Sequence, residues 1–106
     1  MYENEVTAGV EMLDRHFADT GVDWRSRIDL AKLDMQQSKY CILGQLFGDY
    51  HLGIAELGID DMADDHTEWW TIACDHGFNI NGEDYMDETY DHYPVLQAEW
   101  VKVLSK

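Results

Sequence analysis

Lysine and arginine are absent between residues 40 and 101, a window of 62 residues that contains 14 acidic side chains. The residues before this window carry eight acids and five bases, and the residues after it carry two lysines. The net charge of -15 therefore belongs almost entirely to the window. Phosphate groups would be repelled by it, so we expect no direct binding to nucleic acid or to an anionic membrane. The charge favours a basic partner or a cation.

Long apolar runs and cysteine motifs are also missing. The longest apolar runs are only a few residues, too short for a membrane span, and Met1 is followed by acidic residues rather than by the regions of a secretory signal. Cys41 and Cys74 lie 33 residues apart and form no CxxC motif. We therefore expect a reduced, cytosolic setting with two buried thiols, and a single disulfide between them is the alternative.

The length of 106 residues predicts one acidic helical domain over residues 1–106. An apolar share of 45%, with four Trp and six Tyr, is sufficient for one core and too high for a disordered chain. No stretch shows the sustained alternation of a strand. The prediction is an all-α fold, a compact single domain of five to six short helices. A two-stranded ribbon around residues 78–85 is the main alternative.

A triplet of glycine, an apolar residue and Asp or Asn recurs along the chain and predicts where helices end. It occupies residues 21–23, 58–60 and 77–79, and each glycine is expected to take the left-handed conformation. One or two short turns are expected over residues 23–35. Helices are predicted over residues 4–20, over 39–47 with Ser38 as N-cap, from Asp49 to Leu57, over 61–76 with Asp60 as N-cap, and from Pro94 onwards.

The helix over residues 39–47 is apolar on most sides, which predicts that it is the central one. The expected core brings five side chains together: Trp69, Trp100, Ile42, Leu46 and Phe47.

The segment CILGQLFGDYHLGIAELG, residues 41–58, resembles a group of small proteins of actinobacteriophages, including mycobacteriophages, and of related prophages. Those proteins share a C-[VI]-L-G-Q-L-F-G-D-Y segment, a preceding R-I-D-L…L-D stretch, here residues 27–34, and a final Trp-containing helix, here residues 93–104. Ser38 stands where some of them carry a second cysteine, so no role of a cysteine pair carries over. The resemblance implies a phage origin and a bacterial cytoplasm, and it implies no activity.

A calcium site is one alternative use of the acidic residues. Within residues 77–88, four residues fall at ligand or turn positions of an EF-hand loop: Asn79, Asn81, Gly82 and Glu88. The first ligand should be Asp, and Gly77 stands there instead. An acidic turn at residues 81–82 is therefore the simpler interpretation.

A zinc site or an enzyme would use other residues. His66 has no histidine four residues away, so the helical two-histidine clamp is missing from the set formed by His66, Cys74, Asp75 and His76. Cys41 lies in an apolar helix without a cation close in sequence, which predicts an inert thiol. We therefore predict no enzymatic activity, no metal and no cofactor.

The predicted function is non-enzymatic: a small acidic accessory protein of a phage binds and inhibits a host protein through a basic surface of that protein. Helical carboxylates at i, i+3 and i+4 lie about 5–6 Å apart, close to phosphate spacing on DNA, so DNA mimicry is a narrower form of this hypothesis. Two alternatives to host-protein binding remain: the charge serves solubility alone, or the chain is a cation-binding (Ca or Zn) or catalytic domain. Self-association of the chain is also possible on this sequence. The predicted partner-binding residues are ten carboxylates: Asp60, Asp61, Asp64, Asp65, Glu68, Glu83, Asp84, Asp87, Glu88 and Asp91.

Repulsion within the acidic window predicts a salt-dependent stability. The Debye length shrinks from roughly 30 Å at 0.01 M to about 10 Å at 0.1 M salt, so added salt screens the carboxylates from one another. The melting temperature should therefore rise with sodium chloride over this range, as measured by circular dichroism. A flat response would show that the acids are already paired or dispersed.

Overall fold

The computed structural model describes residues 2–63, 68–79 and 93–105, and within these ranges the regular secondary structure is all helical, without a strand. This confirms the all-α prediction and the expected number of helices. None of the described helices is long and apolar enough to cross a membrane. The helices are α1 (Glu3–Phe17), α2 (Ile42–Phe47), α3 (Tyr50–Glu56), α4 (Ile59–Met62), α5 (Trp69–Asp75) and α6 (Tyr93–Leu104), with a 3-10 turn over Arg25–Arg27.

Successive helices pack on one another, and α1 connects the two ends of the chain. Helix α2 contacts α3, α3 contacts α4, and α4 contacts α5, while α1 lies against both α5 and α6. The chain between α1 and α2 has no α-helix and crosses the core as a series of turns, as predicted for residues 23–35. Its apolar side chains Trp24, Ile28, Leu33 and Met35 are all buried.

Trp100 of α6 is the centre of the core. Its side chain is fully buried, and its indole Nε1 donates a hydrogen bond to the carbonyl oxygen of Gly77 at 2.6 Å. The ring stacks on Phe78 with centroids 5.9 Å apart and meets Trp24 edge-on at 6.5 Å. Burial of an indole is favourable only when its N–H has a partner, and the Gly77 carbonyl provides one.

Two glycines allow α1 to approach the end of α5 at backbone distance. A Cβ atom at Gly9 would collide with the carbonyl oxygen of His76 and would also press against the Trp100 ring. On the opposite side, a Cβ atom at Gly77 would lie 2.9 Å from the backbone of Val6. No larger side chain fits at either position, so this crossing depends on glycine on both sides.

The three triplet glycines are left-handed as predicted, but only two of them end helices: Gly58 follows α3 and Gly77 follows α5, whereas Gly21 lies in the turns beyond the end of α1 at Phe17. Gly21, Gly58 and Gly77 have φ values of 73°, 72° and 72°. After α5 the full Schellman pattern is present: Gly77 N–H donates to the Cys74 carbonyl at 3.0 Å, and Phe78 N–H donates to the Ala73 carbonyl at 2.9 Å. The apolar residue of this triplet, Phe78, is 1% exposed and folds back onto the core.

The prediction of one long helix over residues 61–76 was wrong. Helix α4 begins at Ile59 after Gly58 and ends at Met62, so Asp60 lies inside the helix rather than at its N-cap. Ala63 is extended, with ψ 146°, and Glu68 is extended, with ψ 150°, immediately before α5. A continuous helix would align the carboxylates of residues 60, 61, 64 and 65 as like-charge i,i+4 pairs, and aspartate is a weak helix former.

Other boundaries shifted by less. Helix α1 ends at Phe17 instead of residue 20, and α2 begins at Ile42 with Cys41, not Ser38, as its N-cap. Asp49 caps α3 as predicted, because its carboxylate accepts the His51 N–H at 2.9 Å. Helix α6 starts at Tyr93, one residue before the predicted Pro94.

The predicted core was partly correct. Ile42 and Trp100 are fully buried, whereas Leu46, Phe47 and Trp69 are half-buried and pack against the core from its edge. The reason is the shortness of α2: its inward positions are taken by residues 42–44, and Phe47 turns outward to stack on Phe17 with centroids 5.8 Å apart. A continuous helix over residues 61–76 would also have placed Met62 on the apolar stripe of Trp69, seven residues later, but Met62 is 51% exposed.

This correction changes the expected cost of truncation in α2. Leu43→Ala should lower the free energy of unfolding by about 2–5 kcal/mol, because Leu43 is 1% exposed and its removal leaves a cavity. Leu46→Ala should cost clearly less, since Leu46 is half-buried. Urea unfolding of the two variants measures the difference. Equal losses would contradict the assignment of Leu43 as the inward residue.

Candidate functional site

The described part of the predicted acidic surface consists of three carboxylates. Asp60 and Asp61 lie in the first turn of α4, and Glu68 immediately precedes α5; all three are exposed. Helices α4 and α5 contact each other, so the three carboxylates belong to adjoining elements. The other seven predicted residues lie outside the described residues: Asp64, Asp65, Glu83, Asp84, Asp87, Glu88 and Asp91.

The position of Asp60 and Asp61 is favourable for carboxylates. Both are near the N-terminal end of α4, where backbone N–H groups lack helical partners, and one Asp60 oxygen accepts the Asp61 N–H at 3.0 Å. Gly58 makes this start tight by taking the left-handed conformation directly before it. The fold therefore accommodates these charges at the surface without an internal cation.

Partly exposed aromatic side chains lie on α3 and α5, the two helices that contact α4, and they were not among the predicted site residues. We use the name aromatic patch for His51, Trp69 and Trp70. The Trp69 ring meets His51 at 5.8 Å and Trp70 at 5.8 Å, both edge-on. Trp69 also lies 6.3 Å from Tyr50, which is 8% exposed, so the patch is anchored on the core. At its outer end Trp70 is 46% exposed.

A sequence signal for the patch existed in the adjacent pair Trp69-Trp70. Consecutive helical residues point about 100° apart, so of two neighbouring indoles on a surface helix one is expected to lie nearer the solvent. The inward positions of α5 are in fact occupied by Ile72 and Ala73. An exposed indole therefore follows from the pair once α5 is known to be a surface helix.

The glycine-rich segment that carries the phage resemblance has structural roles at nearly every position. Cys41 caps α2 by accepting the Gly44 N–H at 3.3 Å. Gln45 accepts the Asp29 N–H at 2.7 Å and donates to the carbonyl oxygens of Asp29 and Tyr40. Gly48 ends α2 in the left-handed conformation with φ 96°. The segment thus joins α2 to the preceding turns.

The buried cysteine is not arranged as a nucleophile. Burial raises the pKa of the Cys41 thiol, and hydrogen bonds from nearby backbone groups oppose that rise only in part. Cys41 borders a cavity of about 150 Å³, and the described lining includes no histidine, lysine or arginine that could activate the thiol. Cys74 is likewise a thiol, so the alternative of a disulfide between the two cysteines is not realised.

The described residues bring no metal ligands together. Within the described ranges, no three His, Cys, Asp or Glu side chains form a group that could hold an ion. His76 directs Nδ1 to the Ile72 carbonyl oxygen at 2.7 Å, an interaction within α5. The predicted EF-hand positions 80–88 and His66 lie outside the described residues.

A second aromatic site, at Trp24, has a cation over its indole ring. The Arg25 guanidinium lies 4.7 Å from the centroid of the Trp24 ring. Two of its nitrogens donate to the two carboxylate oxygens of Asp14, at 2.8 and 3.1 Å. The Trp24 Nε1 donates to the same carboxylate at 2.9 Å. Indole, guanidinium and carboxylate thus form one mutually bonded group, which joins the 3-10 turn to α1.

Comparison with protein-family models, with curated proteins and with solved structures finds no match to this chain. The geometry and charge described above are therefore the basis of the functional argument.

The group around Asp14 predicts an acid-dependent loss of stability. Hydrogen bonds from Arg25 are the main cause that lowers the pKa of Asp14; burial opposes them, and the Trp24 N–H adds to the lowering. Because the folded-state pKa is depressed, this stabilisation is fully present above the ordinary Asp pKa of about 3.9 and is lost as the pH falls through the folded-state value. Asp14 is 47% exposed, so the amount is at most about 1 kcal/mol.

Urea unfolding of the wild type and Asp14→Ala at about pH 7 and about pH 3 measures this contribution. The difference between the two proteins should shrink at the lower pH, because about pH 3 lies below the ordinary Asp pKa and the unfolded state then binds a proton that the folded state resists. Asp19→Ala, at an exposed carboxylate of the neighbouring turn, is the matched control. A difference that is the same at both pH values would contradict the assignment.

Proposed function

We propose that this chain is a small acidic accessory protein of a phage that binds a basic surface of a host protein and inhibits it without catalysing a reaction. The supporting observation is the exposed acidic and aromatic face formed by Asp60, Asp61 and Glu68 with the aromatic patch. It belongs to a window of 62 residues without lysine or arginine. The phage origin rests on the resemblance of residues 41–58 alone.

The carboxylates of this face keep their charge available for a partner. In the described part of the chain, the ion pairs are Arg25–Asp14 and Lys102–Glu99, and neither involves the acidic face. Un-neutralised carboxylates produce a long-range negative potential, which accelerates encounter with a basic surface and disfavours anionic ones. The face therefore supports a protein partner in preference to nucleic acid or an anionic membrane.

The exposed apolar side chains separate this proposal from charge that serves solubility alone. A purely solubilising surface would have no need of exposed large apolar groups, yet Met62 is 51% exposed and Trp70 is 46% exposed on the contacting helices α4 and α5. Protein interfaces are enriched in Trp and Met, and a tryptophan is among the residues that most often dominate binding energy. Carboxylates around an exposed indole fit a polar rim around an anchor.

DNA mimicry is the narrower form of the proposal, in which the host surface is one that binds DNA. Because α4 ends at Met62, this form no longer draws support from a single helical row of carboxylates. Its remaining support is the charge of -15. If the chain mimics DNA, double-stranded DNA and this chain must compete for the same host protein.

Charge reversal at the acidic face tests the function. The chain is used to capture proteins from a lysate of an actinobacterial host, the retained proteins are identified, and binding to the purified candidate is measured by calorimetry. The triple variant Asp60→Lys, Asp61→Lys and Glu68→Lys should weaken binding at least about 100-fold, because like charges then face each other. The affinity of the wild type should fall steeply with salt.

The matched control reverses three exposed acids outside the acidic window: Glu11→Lys, Asp19→Lys and Asp23→Lys. It makes the same change in net charge, so it should retain the host protein with only a small loss of affinity. Circular dichroism checks that both triple variants keep their helix content. Loss of binding in the control together with retention in the acidic-face variant would place the partner on α1 and the turns that follow it, and would contradict the proposal.

A further inference from the structure

Trp70 differs from the other described tryptophans in its surroundings. Trp24 and Trp100 are buried, and Trp69 is half-buried between His51 and Trp70. Trp70 has 46% of its surface exposed, and its partner ring Trp69 meets it edge-on at 5.8 Å. Because that neighbour is itself held against Tyr50, the Trp70 indole is supported from the core side and open on the solvent side.

The charge around Trp70 has a definite sign. Glu68 precedes it by two residues, and Asp60 and Asp61 lie on α4, which packs against α5. No lysine or arginine occurs within 30 residues of it on either side in the sequence. Among the described residues, the one cation placed over an indole is Arg25 over Trp24. Trp70 therefore has an exposed ring on a helix that contacts the acidic α4, and no described cation lies over it.

The group of Asp14, Trp24 and Arg25 shows how these components combine. The guanidinium there lies 4.7 Å from the indole centroid, and its nitrogens bind both oxygens of the carboxylate. Arginine suits this arrangement better than lysine, because a planar guanidinium stacks on an aromatic ring, is weakly hydrated and donates in a fork that matches a carboxylate.

We propose that the exposed indole of Trp70, on the same pair of contacting helices as the exposed carboxylates Asp60, Asp61 and Glu68, receives an arginine side chain of the partner. This rests on the proposed function, and it names the chemistry by which the acidic face recognises a basic surface. The guanidinium lies over the Trp70 ring and donates to a neighbouring carboxylate. The complex then reproduces between two molecules the group that Arg25 forms within one.

Charge complementarity favours a cationic partner at Trp70. An anionic membrane or nucleic acid is repelled by the net charge of -15, and a second copy of the chain carries the same charge. A partner segment rich in arginine is attracted by the negative potential of the carboxylates and can also stack on the Trp70 indole. The preference for arginine over lysine distinguishes this from attraction by charge alone.

Synthetic peptides of stated composition test the inference without a known host protein. Fluorescently labelled deca-arginine, deca-lysine and a neutral Gly-Ser peptide of equal length are titrated with the chain, and binding is followed by anisotropy. We expect deca-arginine to bind more tightly than deca-lysine and the neutral peptide to bind weakest. Trp70→Leu keeps an apolar side chain and removes the ring, so it should weaken deca-arginine binding by about 3- to 30-fold.

Three further variants make the result specific. Trp70→Phe should restore part of the arginine preference, because phenylalanine retains an aromatic face. Leu52→Ala removes another exposed apolar side chain, 57% exposed on α3, and should leave binding unchanged. The triple reversal of Asp60, Asp61 and Glu68 should abolish binding of both basic peptides. Thermal unfolding of each variant confirms that it remains folded under the conditions of the titration.

The outcomes separate the two proposals. If neither basic peptide binds more tightly than the neutral one, or if the triple reversal changes nothing, both the acidic-face function and the arginine site are wrong. If the basic peptides bind and the reversal abolishes binding, while Trp70→Leu binds as the wild type does or arginine and lysine are bound equally, only the arginine site is wrong. Sedimentation that shows a dimer dissociated by Trp70→Leu would identify a second copy as the occupant and would also overturn it.

Discussion

The hydrogen bond from the Trp100 indole to the Gly77 carbonyl fixes the arrangement on which the remaining structure depends. It joins α6, the last helix, to the turn that ends α5, and the same ring lies under Gly9 of α1. Three segments far apart in sequence are therefore held at one point, with Phe78 stacked on the ring. Since α5 bears Trp69 and Trp70, the crossing of α1, α5 and α6 also determines where the aromatic patch reaches the surface.

Helix ends that are set by bonds between residues a few positions apart could be predicted from the sequence. The left-handed glycines Gly21, Gly58 and Gly77 and the N-cap Asp49 were predicted, because a glycine stop or a capping carboxylate acts through bonds to residues a few positions away. The opening of α2 was predicted less well. Its cap is the Cys41 sulfur, a weaker acceptor than a hydroxyl, and the adjacent Ser38 is the stronger local signal for a cap.

Features that depend on tertiary contact were not predictable in the same way. The role of Gly9 follows from the His76 carbonyl opposite it, 67 positions later, and nothing near residue 9 indicates that contact. The apolar stripe read over residues 61–76 was a property of one hypothetical helix and was lost when the chain became extended at Ala63. Of the ten predicted partner-binding carboxylates, the three that are described are exposed, as a charged surface requires. Trp70 was not predicted as a site residue, because the predicted site consisted of carboxylates alone.

The distribution of basic residues gives the acidic face its chemical character. Five of the seven lysines and arginines precede residue 40, and Arg25 is already engaged with Asp14 and Trp24. An arginine of the chain within reach of Trp70 would occupy the indole and neutralise its carboxylates, and a partner would then have to displace it. By excluding cations from the window of residues 40–101, the sequence leaves the indole and its carboxylates without an internal competitor. The one-sided charge, which is unfavourable to folding through self-repulsion, is on this proposal the condition for recognising a cationic partner.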